Sequence, residues 1–316
     1  MEPSNHTRVT DFIMQGLFDH PQHQGLIFGL FLCLYMTAIM GNSLIIVAIV
    51  LHPPLHTPMY FFIANLALVD ILCTSSVLLK MLENLLQEEK IISFGGCMAQ
   101  LFVFTLSSGT ELVLLTAMSY DRYVAICHPL HYVNLMSKEI CISLAAAVWA
   151  VGTINSLVHT LLMLHLDFCG PNLIQHFFCE IPPVLALSCS STYLNEIMIF
   201  MADIFLAMGN FLLTTMSYSF IIIAILKMRS SKGKQRAFST CSSHMLVVIL
   251  YYSTIIYTYI RPTSSYSLDK DKMVAIIYTL VTPTLNPLIY SLRNNEVKVA
   301  IRKILPFTTK LQFFQE

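Results

Sequence analysis

A chain of 316 residues that is 56% hydrophobic and only 11% charged carries less than half the roughly 25% charge of an ordinary soluble domain, so it cannot clothe a water-facing surface. Lys plus Arg and Asp plus Glu both number 18, and a net charge of zero gives no ground for a nucleic-acid or polyacidic partner. Apolar runs recur along the whole sequence and approach the roughly 20 residues that a bilayer crossing needs, which predicts an integral membrane protein.

The start, Met1-Glu2-Pro3-Ser4-Asn5, is polar and lacks the basic-then-apolar layout of a cleavable signal peptide, so the first span is expected to direct insertion itself. Asn5-His6-Thr7 is an N-x-T acceptor, used only if the amino terminus is lumenal. Seven apolar runs follow: Gly25 to Val50, Pro58 to Lys80, Cys97 to Tyr120, Ile140 to Met163, Ile197 to Leu226, Phe238 to Ile260 and Lys272 to Leu292. Inside lipid the backbone has no water to bond, so each must be a helix. Beyond them Val297, Ala300, Ile301, Ile304 and Leu305 fall near one helical face, with Lys298, Arg302 and Lys303 elsewhere around the axis. That spacing predicts a short amphipathic helix on the inner membrane surface. The expected fold is one all-α domain, a seven-transmembrane helix bundle over residues 25–292 with an amino-terminal tail, 1–24, and a cytoplasmic tail, 293–316.

Charge placement gives the orientation. With the amino terminus outside, Arg122, Lys138, Lys227, Arg229, Lys232, Lys234, Arg236, Arg293, Lys298, Arg302, Lys303 and Lys310 are cytoplasmic. Only Arg8, Lys80, Lys90, Arg261, Lys270 and Lys272 are then external. The basic excess marks the inner side, which puts the protein in the plasma membrane with its amino terminus extracellular and its carboxyl terminus cytoplasmic.

Of nine cysteines, Cys97, Cys169, Cys179 and Cys189 fall on the expected outer side, where an oxidising compartment would pair them. Their order leaves three pairings open. With His165 and His176 they match no compact zinc spacing. Cys33, Cys73, Cys127, Cys141 and Cys241 read as reduced packing residues.

Two carboxylates lie at a similar depth within the second and third spans, where ionisable groups are costly and default to function. Asp70 is near the middle of the second run, and Glu111 is roughly 21 Å down the third helix from Cys97, at a similar depth. Facing carboxylates repel, leaving a proton retained on one or a cation held between them. Hard oxygen ligands favour a sodium ion, assisted by Asn42 and Asn286. Farther along, Asp121-Arg122-Tyr123 lies roughly 37 Å from Cys97, at the opposite membrane surface. An adjacent acid and base can hold one another at rest there, and releasing Arg122 would expose a cation to a cytosolic partner.

Several longer segments surround these residues. Met118-Ser119-Tyr120-Asp121-Arg122-Tyr123-Val124-Ala125-Ile126-Cys127 is accompanied by Leu55-His56-Thr57-Pro58-Met59-Tyr60-Phe61-Phe62 and His176-Phe177-Phe178-Cys179-Glu180. Lys234-Gln235-Arg236-Ala237-Phe238-Ser239-Thr240-Cys241-Ser242-Ser243-His244, Pro283-Thr284-Leu285-Asn286-Pro287-Leu288-Ile289-Tyr290-Ser291-Leu292-Arg293-Asn294 and Gly41-Asn42 complete the set. In that order the chain resembles the odorant receptors, a branch of the rhodopsin-like G-protein-coupled receptors. The finer resemblance is to the land-vertebrate class and its second family.

The resemblance implies disulfides Cys97–Cys179 and Cys169–Cys189. It implies a switch built from Asp121, Arg122, Tyr123, Tyr218, Asn286, Pro287 and Tyr290, opened when the sixth span swings out and admits a G protein of the stimulatory olfactory type, raising cyclic AMP. Asp70 and Glu111 match its internal ion site, and beyond that sodium no cofactor is expected. The odorant, small and mostly apolar, would sit in the outer half of the bundle. Helical spacing offers Phe104, Thr105, Ser108 and Gly109, then Ala202, Asp203, Leu206 and Ala207, then Tyr252, Ile255, Ile256 and Tyr259, and last Ile276 and Thr279. Tyr251-Tyr252-Ser253 departs from the family's usual Phe-Tyr-Gly. Asp203 points to an amine, a cation-assisted ligand or an internal hydrogen bond to Tyr252 or Tyr259, the last preferred. His159, Met163 and Met208 could offer soft ligands to copper, but packing is the preferred reading in a chain with 17 Met.

Three other functions compete. A transporter would show repeated halves and broken helices, and neither is present in the sequence. A membrane-embedded enzyme would need a nucleophile and base at one depth; Ser119 and Ser243 near His128 and His244 form no legible triad, so no catalytic residue is expected. The realistic alternative is a receptor of the same type serving another tissue.

Overall fold

A computed structural model describes residues 9–17, 24–169, 171–260, 268–293 and 295–304. Asn5 and Leu305 lie outside the described residues, as do the side chains of Asp203 and Tyr259. Seven long helices dominate: α1 (Gln24–Leu51), α2 (Pro58–Leu86), α3 (Phe94–Cys127), α4 (Lys138–Leu164), α5 (Tyr193–Lys227), α6 (Ser231–Ile260) and α7 (residues 268–293). A shorter α8, Asn295–Ile304, follows. Six of the long helices are each apolar enough to cross a membrane, and α6 is a seventh crossing bent by 43° between Ser231–Ser239 and Cys241–Tyr257.

The helices outrun the apolar stretches that predict them because polar caps, not apolarity, set where they begin. Thr57 precedes Pro58 at the first helical position of α2. The Ser93 hydroxyl accepts from the Gly96 N–H at 3.1 Å to start α3, and Ser137 accepts from the Ile140 N–H at 3.4 Å to start α4. The run Cys97 to Tyr120 is therefore lengthened to Phe94–Cys127, and Asp121 and Arg122 lie on the same helix as Cys97, as their expected spacing along it requires. Likewise α6 begins at Ser231, not Phe238.

In lipid, polar side chains and small residues supply the contacts that apolar burial supplies in water. α3 is the hub. Ser156 Oγ on α4 donates to the Phe102 carbonyl at 2.5 Å, Thr116 and Thr214 hydroxyls join α3 to α5 at 3.1 Å, and Tyr251 OH on α6 donates to the Ser108 carbonyl at 3.1 Å. Asn42 on α1 donates to the Pro283 carbonyl of α7 at 3.0 Å, and Trp149 on α4 donates to Asn65 on α2 at 3.0 Å. Backbones approach closely at Gly152, where a Cβ would overlap Thr110, and at Gly41, where it would stand 3.2 Å from the Pro287 ring.

Within the segment read as an amino-terminal tail, Asp11–Met14 forms a strand, β1. It lies in the middle of a three-stranded sheet, antiparallel to β2 (Ile91–Ser93) and parallel to β3 (Leu173–Ile174). Phe12 and Met14 point inward, and the Phe12 ring packs against Phe94 at 6.0 Å and Phe168 at 5.6 Å. Four alternating residues are too few to stand out in sequence.

α8 forms as its spacing predicts, but its buried face is not given to lipid alone. Val297 and Ala300 are almost fully buried in the same apolar cluster as Ile45 and Ala48 of α1, with Ile301 and Ile304 packed beside them.

Candidate functional site

Functional side chains gather at the disulfide end, the middle and the Arg122 end of the bundle. At the first, Cys97 bonds Cys179 and Cys169 bonds Cys189, with Cα separations of 5.4 and 5.8 Å. Gln100, which sequence reasoning passed over, secures the loop: its Oε1 accepts from the Cys179 N–H at 2.7 Å while its Nε2 donates to the Ser76 carbonyl at 2.8 Å.

The expected pocket residues divide into two groups. Leu206, Ala207, Tyr252 and Ile255 share the central cluster of the bundle. The Tyr252 ring lies 5.1 Å from Phe211, and its hydroxyl sits beside Thr116 and Thr214. Phe104 and Ile276 join a separate cluster with Phe178, Tyr278 and residues of α1 and α2. Thr279 is buried and donates to the Ala275 carbonyl at 2.6 Å, while its own carbonyl accepts from Thr74 at 3.4 Å. Thr105 is buried on α3, Ser108 takes part through its carbonyl, Ala202 is half-buried and Ile256 is exposed. Gly109 lies against α4, where a Cβ would meet Asn155 and Gly152 at 3.5 and 3.6 Å. The soft residues do not converge: Met163 is fully buried and accepts from Asn195 Nδ2 at 3.6 Å, while Met208 is 60% exposed.

Two of the expected pocket segments depart from the α-helix. Asp203–Met208 in α5 and Ile277–Val281 in α7 are π-helical turns, a wider winding found mostly at functional sites. Periodicity calculated for a uniform helix cannot detect them, and residues beyond each turn are rotated from the face that regular spacing assigns.

Glu180, next to Cys179, faces the second cluster. Tyr278 OH, in the α7 π turn, donates to both of its carboxylate oxygens at 3.2 Å. Burial, aided by the negative charge of Asp271, pushes the Glu180 carboxyl up to about 7 against the opposing effect of the Tyr278 bond. Nearby His176 stacks on Phe177, and burial, reinforced by Lys272, lowers its imidazole to about 3.

At mid-bundle the Asn286 amide donates to Asp70 Oδ2 at 2.9 Å. Asp70 Oδ1, Glu111 Oε1 and Asn286 Oδ1 are buried without a hydrogen-bond partner among the described residues. Uncompensated acceptors of this kind are costly, and their hard oxygen chemistry fits a small cation.

At the Arg122 end, the guanidinium Nε donates to Asp121 Oδ2 at 2.9 Å and its NH2 group makes a second contact with the same oxygen. Tyr132 OH, on the segment joining α3 to α4, donates to Asp121 Oδ1 at 2.8 Å. Asp121 is thus held from both sides, with Arg122 closed onto it. Tyr218 OH pairs with His244 Nδ1, joining α5 to α6, and Tyr290 OH is buried without a partner among the described residues. Tyr123 turns aside, bonding His128 at 3.1 Å and packing against Phe220 at 5.9 Å. Pro287 lies inside α7 against Gly41. Sequence reasoning missed Tyr132, which none of the quoted segments contains, and the individual role of His244, whose signal was the motif ending at it.

A family model described as olfactory receptor matches residues 31–307. The chain belongs to the olfactory receptor family. It is 57% identical to olfactory receptor 13A1 of Homo sapiens over 304 residues, covering 96% of this chain and 93% of that one. To olfactory receptor 13G1 of Homo sapiens it is also 57% identical, over 96% of this chain and 99% of that one. Olfactory receptor 5AR1 of Mus musculus is 47% identical over 96% and 98%. The finer expectation of the class's second family gains less: a relative named olfactory receptor 2G3 is 44% identical. Membership makes the chain a multi-pass, seven-transmembrane odorant receptor that couples to G proteins.

Proposed function

We propose that the disulfide end of the bundle is extracellular and binds a small, mostly apolar odorant, and that binding releases Arg122 to a stimulatory olfactory-type G protein, raising cyclic AMP. The observation that carries this reading is the closed Asp121–Arg122 contact, braced by Tyr132, at the end of α3 opposite Cys97. A buried acid–base lock far from the disulfides is what a two-state receptor needs. Twelve Lys and Arg on the Arg122 side against six on the other support the orientation. Asn5 would then be open to glycosylation. The two π turns support a ligand contact zone on α5 and α7, with Leu206, Tyr252, Ile255 and Phe104 as its apolar wall.

Within this reading the unpartnered oxygens of Asp70, Glu111 and Asn286 hold a sodium ion that stabilises the resting bundle. A proton shared between the two acids is the competing occupant.

The deciding experiment expresses the receptor in cyclic AMP reporter cells against a chemically broad odorant panel. Arg122→Ala is expected to abolish the evoked signal at unchanged surface density; undiminished signalling would remove the lock from the mechanism. Asp203→Asn, with unchanged ligand rank order, would take that carboxylate out of recognition.

A further inference from the structure

The Glu180 carboxylate is short of partners. An ionised carboxylate can accept about four hydrogen bonds, yet its two oxygens share the single Tyr278 hydroxyl. No Lys, Arg or His among the described residues lies within ion-pair distance of it. Lys272, on the same helix as Tyr278, donates instead to the Gly16 carbonyl at 2.9 Å. The charge that does act on Glu180 is negative, from Asp271. The group is also fixed in place: its neighbour Cys179 is tied covalently to Cys97 and by its N–H to Gln100.

A chain of aromatic rings leads away from the Tyr278 phenol that this carboxylate accepts from. Phe178 and Phe104 meet edge to face with centroids 5.0 Å apart, and Phe104 lies 5.9 Å from the Tyr278 ring. Ring faces attract a cation within about 6 Å of their centroids, and a half-buried carboxylate with no countercharge among the described residues gains from a ligand that brings one. An aliphatic tail would meet the apolar side chains of the same cluster, including Ile276 and Leu280. Anions are disfavoured by Glu180 and Asp271 together, and a neutral hydrocarbon would leave the carboxylate as it is.

We infer that Glu180, held by Tyr278 beside the linked rings of Phe104 and Phe178, is the headgroup site for a protonated amine, so that the odorants of this receptor include small alkylamines. The inference rests on the reading that odorants bind at the disulfide end and deepens it by naming a ligand class. The Tyr278 phenol is the donor that an amine replaces at the carboxylate, and the rings select a cation over an uncharged polar group.

The test uses the full-length receptor in reporter cells, with alkylamines, quaternary alkylammonium ions and alcohols of matched chain length. The most potent neutral odorant from the broad panel is the internal control. Amines and quaternary ions are expected to activate more potently than the matching alcohols. Glu180→Gln should weaken amine potency by roughly tenfold or more, relative to the neutral control. Equal loss for both ligand types overturns the inference, since it marks a structural role. Tyr278→Phe deals with a Glu180 variant that fails to reach the surface: it removes the phenol and keeps the carboxylate, so amine potency should hold or rise, and a selective loss of amine response refutes the site. Neutral odorants that activate while no amine does would sink the inference and leave the odorant reading standing. A receptor silent to the whole panel would remove both.

Discussion

Removing one oxygen atom from Tyr132 should raise signalling in the absence of ligand. The phenol donates to Asp121 Oδ1 at 2.8 Å while Arg122 occupies the other carboxylate oxygen. Burial and the Asp121 charge both push the Tyr132 phenol up, so it remains a donor throughout the physiological range. A hydrogen bond to a charged group contributes about 1.5–3 kcal/mol. If that bond exists only while Arg122 is closed, Tyr132→Phe moves the resting-to-active ratio by roughly ten- to a hundredfold, because 1.4 kcal/mol is a factor of ten. The assay is basal reporter output normalised to surface receptor, with the same substitution repeated in an Asp121→Asn background. There the phenol has lost its charged acceptor, and the increment should vanish. Unchanged basal output, or an equal increment in both backgrounds, would refute the lock as drawn.

Three further outcomes are expected. Phe12→Ala, which empties a fully buried ring site between Phe94 and Phe168, should cost about 3 kcal/mol and lower the melting temperature in detergent by about 5 °C or more; an unchanged melting temperature would mean that β1 is not docked. Glu180, ordinarily near 4.5 but raised to about 7 in the fold, makes the folded state hold more protons than the unfolded one between those values. Its contribution is therefore full below the lower value and lost as pH rises through the upper one: the melting temperature should fall from about pH 5 to about pH 8, and Glu180→Gln should flatten that part of the slope. For the mid-bundle oxygens, replacing external sodium by a bulky organic cation should raise odorant potency in the wild type and leave Asp70→Asn unmoved; an equal response of both proteins would exclude a sodium held by Asp70.

Helices were legible in the sequence because hydrocarbon permits little else, and the seven runs needed only lengthening, most at both ends of α3, at the end of α2 and in the first turns of α5 and α6. The Asp121–Arg122 pair was legible for a related reason, since adjacent opposite charges at the end of an apolar run must interact. What stayed hidden depends on contacts distant in sequence or on changes of helical winding. Tyr132 reaches Asp121 across a turn that has no periodicity, and Gln100 binds a loop far along the chain. The π turns shift the faces of α5 and α7, which is why evenly spaced candidates split between two clusters. That Gly109 approaches Gly152 of α4 depends on a helix contact that the sequence does not spell out.

The sheet sets an order of events during synthesis. β1 is made first, yet both of its neighbours, Ile91–Ser93 and Leu173–Ile174, emerge later, the second only after four membrane helices have been produced. Until then Phe12 and Met14 have no cover, and a nascent chain stalled midway displays them to chaperones or to other chains. A strand made before both of its neighbours is among the last elements to find its place.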